Sequence, residues 1–215
     1  MAIPLPLLLL PIIALALGGR KRGGGAAPAI GPWTDRWDPP RPIAEGKANN
    51  PEIDALLREM DDYFASYGIN LDWINASEVT LLRKWGRHAI PPREYWPRMA
   101  ATIRWGFQPI RAALSGPITI TSAYRPPDYN EAVGGAEDSR HQYFEGLDMV
   151  ASGGQANKQA LLAAGIWIRS GERMRMGLGV YGSPGSASNI HIDTGRSQRT
   201  WNVADYWIDR VKAQA

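Results

Sequence analysis

The sequence predicts an α+β fold, a small and mainly antiparallel sheet flanked by helices. Three observations predict it. Residues 52–67 place apolar side chains at helical spacing. Residues 118–121 form a β-branched run just after a Gly-Pro turn. The elements follow one another as helix, helix, strand, loop, helix, strand, strand, without the regular strand–helix alternation of a doubly wound sheet.

In the first helix Ile53, Leu56, Leu57, Met60, Tyr63 and Phe64 recur three and four residues apart and mark one buried face. Residues 77–86 read as a second short helix, with Ser77 as N-cap and Gly86 as the stop. Pro91 and Pro92 break the chain. A third helix is expected over 94–114, with Pro97 near its start and Pro109 bending or interrupting it. Gly116 and Pro117 then turn the chain into Ile118-Thr119-Ile120-Thr121, a strand. Residues 155–165 are expected to be helical and to end at Gly165. Residues 177–181 and 189–193 suit two short strands, separated by a loop over 182–186.

Composition narrows the chemistry. The 215 residues carry 24 Lys+Arg against 21 Asp+Glu, a net charge of +3, which is no nucleic-acid-binding balance. With 44% hydrophobic and 21% charged residues the chain is globular in composition. It has no cysteine, so disulfides, thiol catalysis and Cys-ligated zinc are excluded, and any metal must sit on His and carboxylates. No phosphate-binding loop, dinucleotide fingerprint or Gly-x-Ser-x-Gly elbow is present.

Three regions follow along the chain. Residues 1–31 are a hydrophobic leader or anchor plus a Gly-rich linker. The uncharged stretch 3–18 would span only ~24 Å as a helix, short of a ~30 Å hydrocarbon core. It resembles a secretory signal, but Arg20-Lys21-Arg22 follow it where a signal has them in front. A signal or anchor, a plug buried in a larger assembly such as a virion, and a plain leader are the three readings. Residues 32–91 are an extended Pro- and Trp-containing arm and a helical N-terminal region. Residues 92–215 carry the chemistry.

The chain has three histidines, His88, His141 and His191. Asp148 follows His141 after seven residues, and Gly146 between them suggests a turn. On a strand His191 and Asp193 point to the same face. His88 lies apart and is expected at the surface or in a cap. Upstream, Ser122-Ala123-Tyr124-Arg125-Pro126-Pro127-Asp128-Tyr129-Asn130 leads to Val133-Gly134-Gly135-Ala136 and then to Ser139-x-His141. Together with Asp148 and His191-x-Asp193-x-Gly195, these segments resemble, in order, the zinc D-Ala-D-Ala metallopeptidases. That family includes murein carboxypeptidases and endopeptidases and shares the hedgehog-type fold. The resemblance covers roughly residues 92–201 and is nearest to the branch of murein endopeptidases ending in His-x-Asp-x-Gly.

The resemblance implies one zinc ion on the sheet face, held by His141, Asp148 and His191. It implies a substrate-carboxylate or oxyanion role for Arg125, whose alternative is a structural pair with Asp128 or Glu131. It gives Ser139 and Asn130 hydrogen-bonding roles around loops and ligands. Tyr181 is a candidate donor to the oxyanion or a core aromatic, and Trp201 is expected to pack under the metal loop. Ser188 and Asn189 stand where many members carry a catalytic Glu or His, and neither is a base at neutral pH. Asp193 is the nearest carboxylate, placed to orient His191, to accept a proton or to serve structure alone, and Glu145 is a second base candidate. Phe144 stands where the family usually has Gly, either crowding the site or lining a groove.

The expected function is that of a zinc peptidase hydrolysing an amide in murein stem peptides or crosslinks, in wall remodelling or phage-borne wall degradation. The alternative is a catalytically impaired, metal-containing wall-binding or virion structural module. The implied partners are peptidoglycan stem peptides and no nucleic acid, with a membrane or virion contact through residues 1–31. The corresponding location is the cell envelope or periplasm through that segment, or alternatively a phage virion.

Overall fold

The computed structural model describes residues 39–171, 174–195 and 197–214. Two sheets organise them. The smaller joins β1 (Ala44–Gly46), β3 (Arg87–Ile90) and β2 (Leu81–Leu82), in that order and antiparallel. The larger has the order β4 (Ile118–Ser122), β5 (Gly146–Ala151), β7 (Ser186–Thr194), β6 (Met176–Ser183), β8 (Arg199–Asn202). Its pairs are antiparallel except β6 with β8, which run parallel.

Helix α1 (Pro51–Ser66) starts where Asn50 accepts from the Glu52 amide at 2.9 Å and Pro51 occupies the first turn. Its buried face is Ile53, Leu57, Met60 and Phe64, the spacing legible in the sequence. The second helix is shorter than expected. α2 (Ala76–Thr80) is capped by Asn75 rather than Ser77, through a reciprocal box with Glu78. Leu81 then turns extended to pair with His88, so the rest of the expected helix is a strand and a turn.

The expected helix over 94–114 is one helical run with a change of pitch inside it. A 3₁₀ turn over Arg93–Tyr95 leads into α3 (Trp96–Thr102), a π-helical turn (Ile103–Phe107) and α4 (Gln108–Ala113). Pro109 explains the widening. It has no N–H to give to residue 105 and its ring would crowd that carbonyl, and the wider turn relieves both. The π turn also brings Gly106 onto the sheet, where an added Cβ would lie 2.6 Å from Ile192 Cδ1.

After β4 come α5 (Pro127–Ala132) and a 3₁₀ turn (Arg140–Tyr143) leading to β5. Helix α6 (Ala156–Ser170) runs through Gly165 instead of stopping there. A glycine inside a helix costs about 1 kcal/mol relative to Ala, and burial of the continuous stretch Ala160–Ile166 offsets it. Helix α7 (Ala204–Lys212) closes the fold.

The large sheet has two unlike faces. Leu147, Met149, Leu178, Val180, Ile190 and Ile192 are all buried and belong to one cluster with Phe64, Met60, Phe107 and Ile110 from the helices. The alternate residues face the other way and build the site. His88, expected at the surface, is instead buried in the small sheet, with Nδ1 3.0 Å from Thr80 Oγ1.

The location inferred from residues 1–31 is corrected. Among the described residues no helix is long and apolar enough to cross a membrane. The segment on which an envelope, periplasmic or virion location rested lies outside the described residues and gives no structural basis for a compartment.

Candidate metal centre

Register places the chemistry in two rows across the sheet. In the first row Ser122, Asp148, His191, Gly179 and Trp201 stand opposite one another on β4, β5, β7, β6 and β8. In the second row stand Gly146, Asp193, Gly177 and Arg199. Residues two apart on a strand share a face, so both rows look into the same cleft. The three glycines make room. A Cβ on Gly146 would lie 3.0 Å from His191 Cε1, and one on Gly179 would lie 2.4 Å from the Trp201 ring.

His141 reaches this face from the 3₁₀ turn before β5. Its Nδ1 lies 2.6 Å from the Ala123 carbonyl oxygen, which only accepts, so Nδ1 carries the proton and Nε2 offers a lone pair. His191 is oriented the opposite way. Its Nε2–H donates to Asp193 Oδ2 at 3.0 Å, which leaves Nδ1 turned inward. That Nδ1 lies 3.1 Å from His141 Nε2 and 2.7 Å from Asp148 Oδ1. Asp148 Oδ2 lies 3.2 Å from His141 Nε2 and accepts from Arg125 Nη2 at 2.5 Å.

Two imidazole nitrogens and a carboxylate therefore converge in a buried triangle. Tetrahedral zinc with bonds of ~2.0–2.1 Å spaces its ligand atoms about 3.3 Å apart, close to the spacings found here. The residues fit a zinc ion. No other His and carboxylate group of this kind occurs among the described residues.

The electrostatics agree with that fit. Burial lowers the pKa of His141 and keeps its imidazole neutral. Burial also opposes charge on Asp148, but the two histidines outweigh it and hold the carboxyl well below its usual range. Burial likewise opposes charge on His191, yet its hydrogen bonds to Asp148 and Asp193 push its pKa up to about 9. The proton thus bound at Nδ1 is the one that a metal ion displaces.

The other expected residues fall out as follows. Arg125 pairs with Asp148, its Nε donates to Ser122 Oγ at 2.7 Å, and it lines the cleft; the expected alternative, a pair with Asp128 or Glu131, is not the arrangement found. Asp193 is fully buried, and its Oδ2 accepts from His191 and, at 2.7 Å, from Arg199 Nη2, which suits orientation of His191. Glu145 is 0% exposed and bonded to Arg98 at 2.7 Å, so it does not reach the cleft as a base.

Asn130 ties the loop together: its side-chain amide donates to the Ala136 carbonyl at 2.9 Å, and its backbone carbonyl accepts from the Gly135 amide at 2.8 Å. Ser139 lines the cleft, and its carbonyl accepts from the Gln142 amide at 3.1 Å. Tyr181 stands at the mouth, 39% exposed, rather than in the core. Trp201 packs beside His191 with ring centroids 4.9 Å apart. Phe144 neither crowds the site nor lines a groove. It is buried against Tyr124, with ring centroids 5.7 Å apart and a left-handed backbone (φ 55°), which explains why glycine suits this position.

The cleft has a volume of about 520 Å³, and Asp138, Arg140 and Arg199 also line it, none of them marked out by the sequence. Arg199 carries no signal of its own, because the strand that brings it to the face shared with Trp201 is made by parallel pairing with β6. A larger cleft of about 1060 Å³ beside Pro39–Glu45 carries Glu45, Glu94 and Asp128 but no histidine.

Comparison with known proteins gives one family. The family model described as Peptidase M15 matches residues 47–193, from just before α1 to Asp193. None of the curated proteins compared with the chain matches it.

Proposed function

The chain belongs to the peptidase M15 family, zinc metallopeptidases, and from that premise we propose that it hydrolyses an amide bond in the stem peptides or crosslinks of peptidoglycan, as an endopeptidase rather than a carboxypeptidase. The observation that carries this reading is the pair of opposed tautomers, His141 Nε2 and His191 Nδ1, set 3.1 Å apart beside the Asp148 carboxylate.

In this reading His141, Asp148 and His191 hold the zinc. Bound there, zinc supplies Lewis-acid polarisation of the scissile carbonyl and acidifies water for attack. Ala123 and Asp193 keep the two imidazoles in their ligating tautomers. Arg125, steadied by Ser122 and Asp148, presents a guanidinium to the substrate carboxylate or to the oxyanion that develops at the attacked carbonyl. Tyr181 places a phenol at the mouth of the cleft, where the peptide enters. Asn130 and Ser139 hold the loop of residues 130–139 against the centre.

A second reading has a specific motive. Ser188 and Asn189 stand where many members carry Glu or His, and Asp193 is buried in a pair. A metal-bearing wall-binding module without turnover would have the same features. The experiment is a peptidoglycan digest by the full-length zinc-loaded protein, read by mass spectrometry. New muropeptides that vanish with chelator and in His141→Ala are expected. Bound zinc and retained peptidoglycan without any cleaved bond, over several wall types, would support the second reading instead.

A further inference from the structure

We propose that Arg199 is a positioning residue of the metal centre, acting on His191 through Asp193. The inference rests on the reading of His191 as a ligand. Three observations carry it.

First, two donors among the described residues reach the Asp193 carboxylate. Oδ2 accepts from His191 Nε2 at 3.0 Å and from Arg199 Nη2 at 2.7 Å, while Oδ1 is buried with no hydrogen-bond partner among the described residues. A buried carboxylate is costly unless paired, and the guanidinium supplies that pair and holds Asp193 in place. A fixed Asp193 in turn holds Nε2 as its donor and leaves Nδ1 turned inward.

Second, the sheet is carved to fit this pair. A Cβ on Gly177 would lie 2.3 Å from Asp193 Oδ2 and 3.0 Å from Arg199 Cζ. One on Gly195 would lie 2.3 Å from Arg199 Nη1 and 2.9 Å from Asp193 Oδ1. Two glycines on different segments thus leave the space that the ion pair fills.

Third, the delivery is structural. The parallel pairing of β8 with β6 sets Arg199 opposite Gly177 and Trp201 opposite Gly179. The guanidinium lies over the Trp201 ring, 5.6 Å from its centroid, and that ring flanks His191. Arg199, Asp193, His191 and Trp201 close on one another. Arg199 also lies beyond the residues matched by the family.

The test is zinc affinity of the full-length protein, measured by competition with a chromophoric chelator. Arg199→Met is expected to weaken zinc binding about tenfold, within the range seen for residues that hold ligands, and Arg199→Lys to recover most of it. Asp193→Asn should weaken it similarly, and the double variant Asp193→Asn/Arg199→Met no more than Asp193→Asn alone. Gly177→Ala, which keeps every functional group but crowds the pair, should weaken it too, and it decides the matter if Arg199→Met does not fold. Undiminished zinc affinity in Arg199→Met or in Gly177→Ala would overturn the proposal, even if peptidoglycan cleavage fell. Independent, additive losses in the double variant would overturn it as well. Zinc binding that follows the expected pattern in a protein that cleaves no peptidoglycan would sink the peptidase reading and leave this one standing.

Discussion

At the residue scale, a histidine pair and a buried glutamate show how environment divides similar groups into different tasks. His141 and His191 are both buried, yet one hydrogen-bonds through Nδ1 to a carbonyl and the other through Nε2 to a carboxylate, so opposite nitrogens turn toward the centre. Glu145 lies one residue from β5 but points away, between Arg98 and Arg140. Burial outweighs both guanidiniums and pushes its pKa up to about 7, from an ordinary value of 4.5. Between those two values the unfolded chain has lost the proton and the folded chain keeps it. Stability therefore falls as pH rises through this window, by at most about 1.4 kcal/mol per pH unit. The unfolding free energy of the wild type relative to Glu145→Gln is expected to decline across the window and to level off above it. Parallel pH profiles for the two proteins, in chemical denaturation, would count against the buried-glutamate account. The ligand candidates were legible in the sequence because the segments that carry His141, Asp148 and His191 resemble, in order, those of a metallopeptidase family, whereas the seven-residue gap alone defines no metal site. The exclusion of Glu145 was not, because the direction of a side chain next to a strand depends on partners contributed by α3.

At the scale of elements, the site is a property of strand register. Asp148 opposes His191 directly, and Gly179 opposes both His191 and Trp201, so a strand shift of one residue would turn every functional group into the core. Gly179 is the point where this is most sharply testable. Replacing it with Ala would drive a Cβ into the Trp201 ring, and overpacking of this kind costs about 1–3 kcal/mol. A chemical-denaturation midpoint unchanged by Gly179→Ala would show that Trp201 is not seated there. The strands around residues 118–122 and the hairpin of β6 and β7 were readable from β-branched runs and turn residues. β5 was not, since Gly-Leu-Asp-Met-Val-Ala has no marked alternation, and its strand character comes from being hydrogen-bonded on both sides. β8 has no local signature in the sequence, because its four residues become a strand only through parallel pairing with β6. Gly165 reads as a helix end in the sequence, because the burial that carries α6 past it is tertiary.

At the scale of the whole molecule, the centre joins parts of the chain that are distant in sequence. His141 comes from a turn, Asp148 from a central strand and His191 from its neighbour, and one hydrophobic cluster behind the sheet ties these strands to α1, α3, α4 and α6. The matched family segment begins at residue 47, so it takes in α1 and the small sheet's β2 and β3 as well as the metal-facing strands. The resemblance legible in the sequence begins near residue 92. It follows residues that carry chemistry, whereas α1 and β3 contribute packing, which leaves only apolar periodicity to read. The most direct measurement is anomalous diffraction at the zinc edge from crystals of the full-length protein grown with zinc. The account predicts one strong peak at bonding distance, ~2.0–2.1 Å, from His141 Nε2, His191 Nδ1 and an oxygen of Asp148. Zinc held by other residues, or none at this triangle, would contradict it.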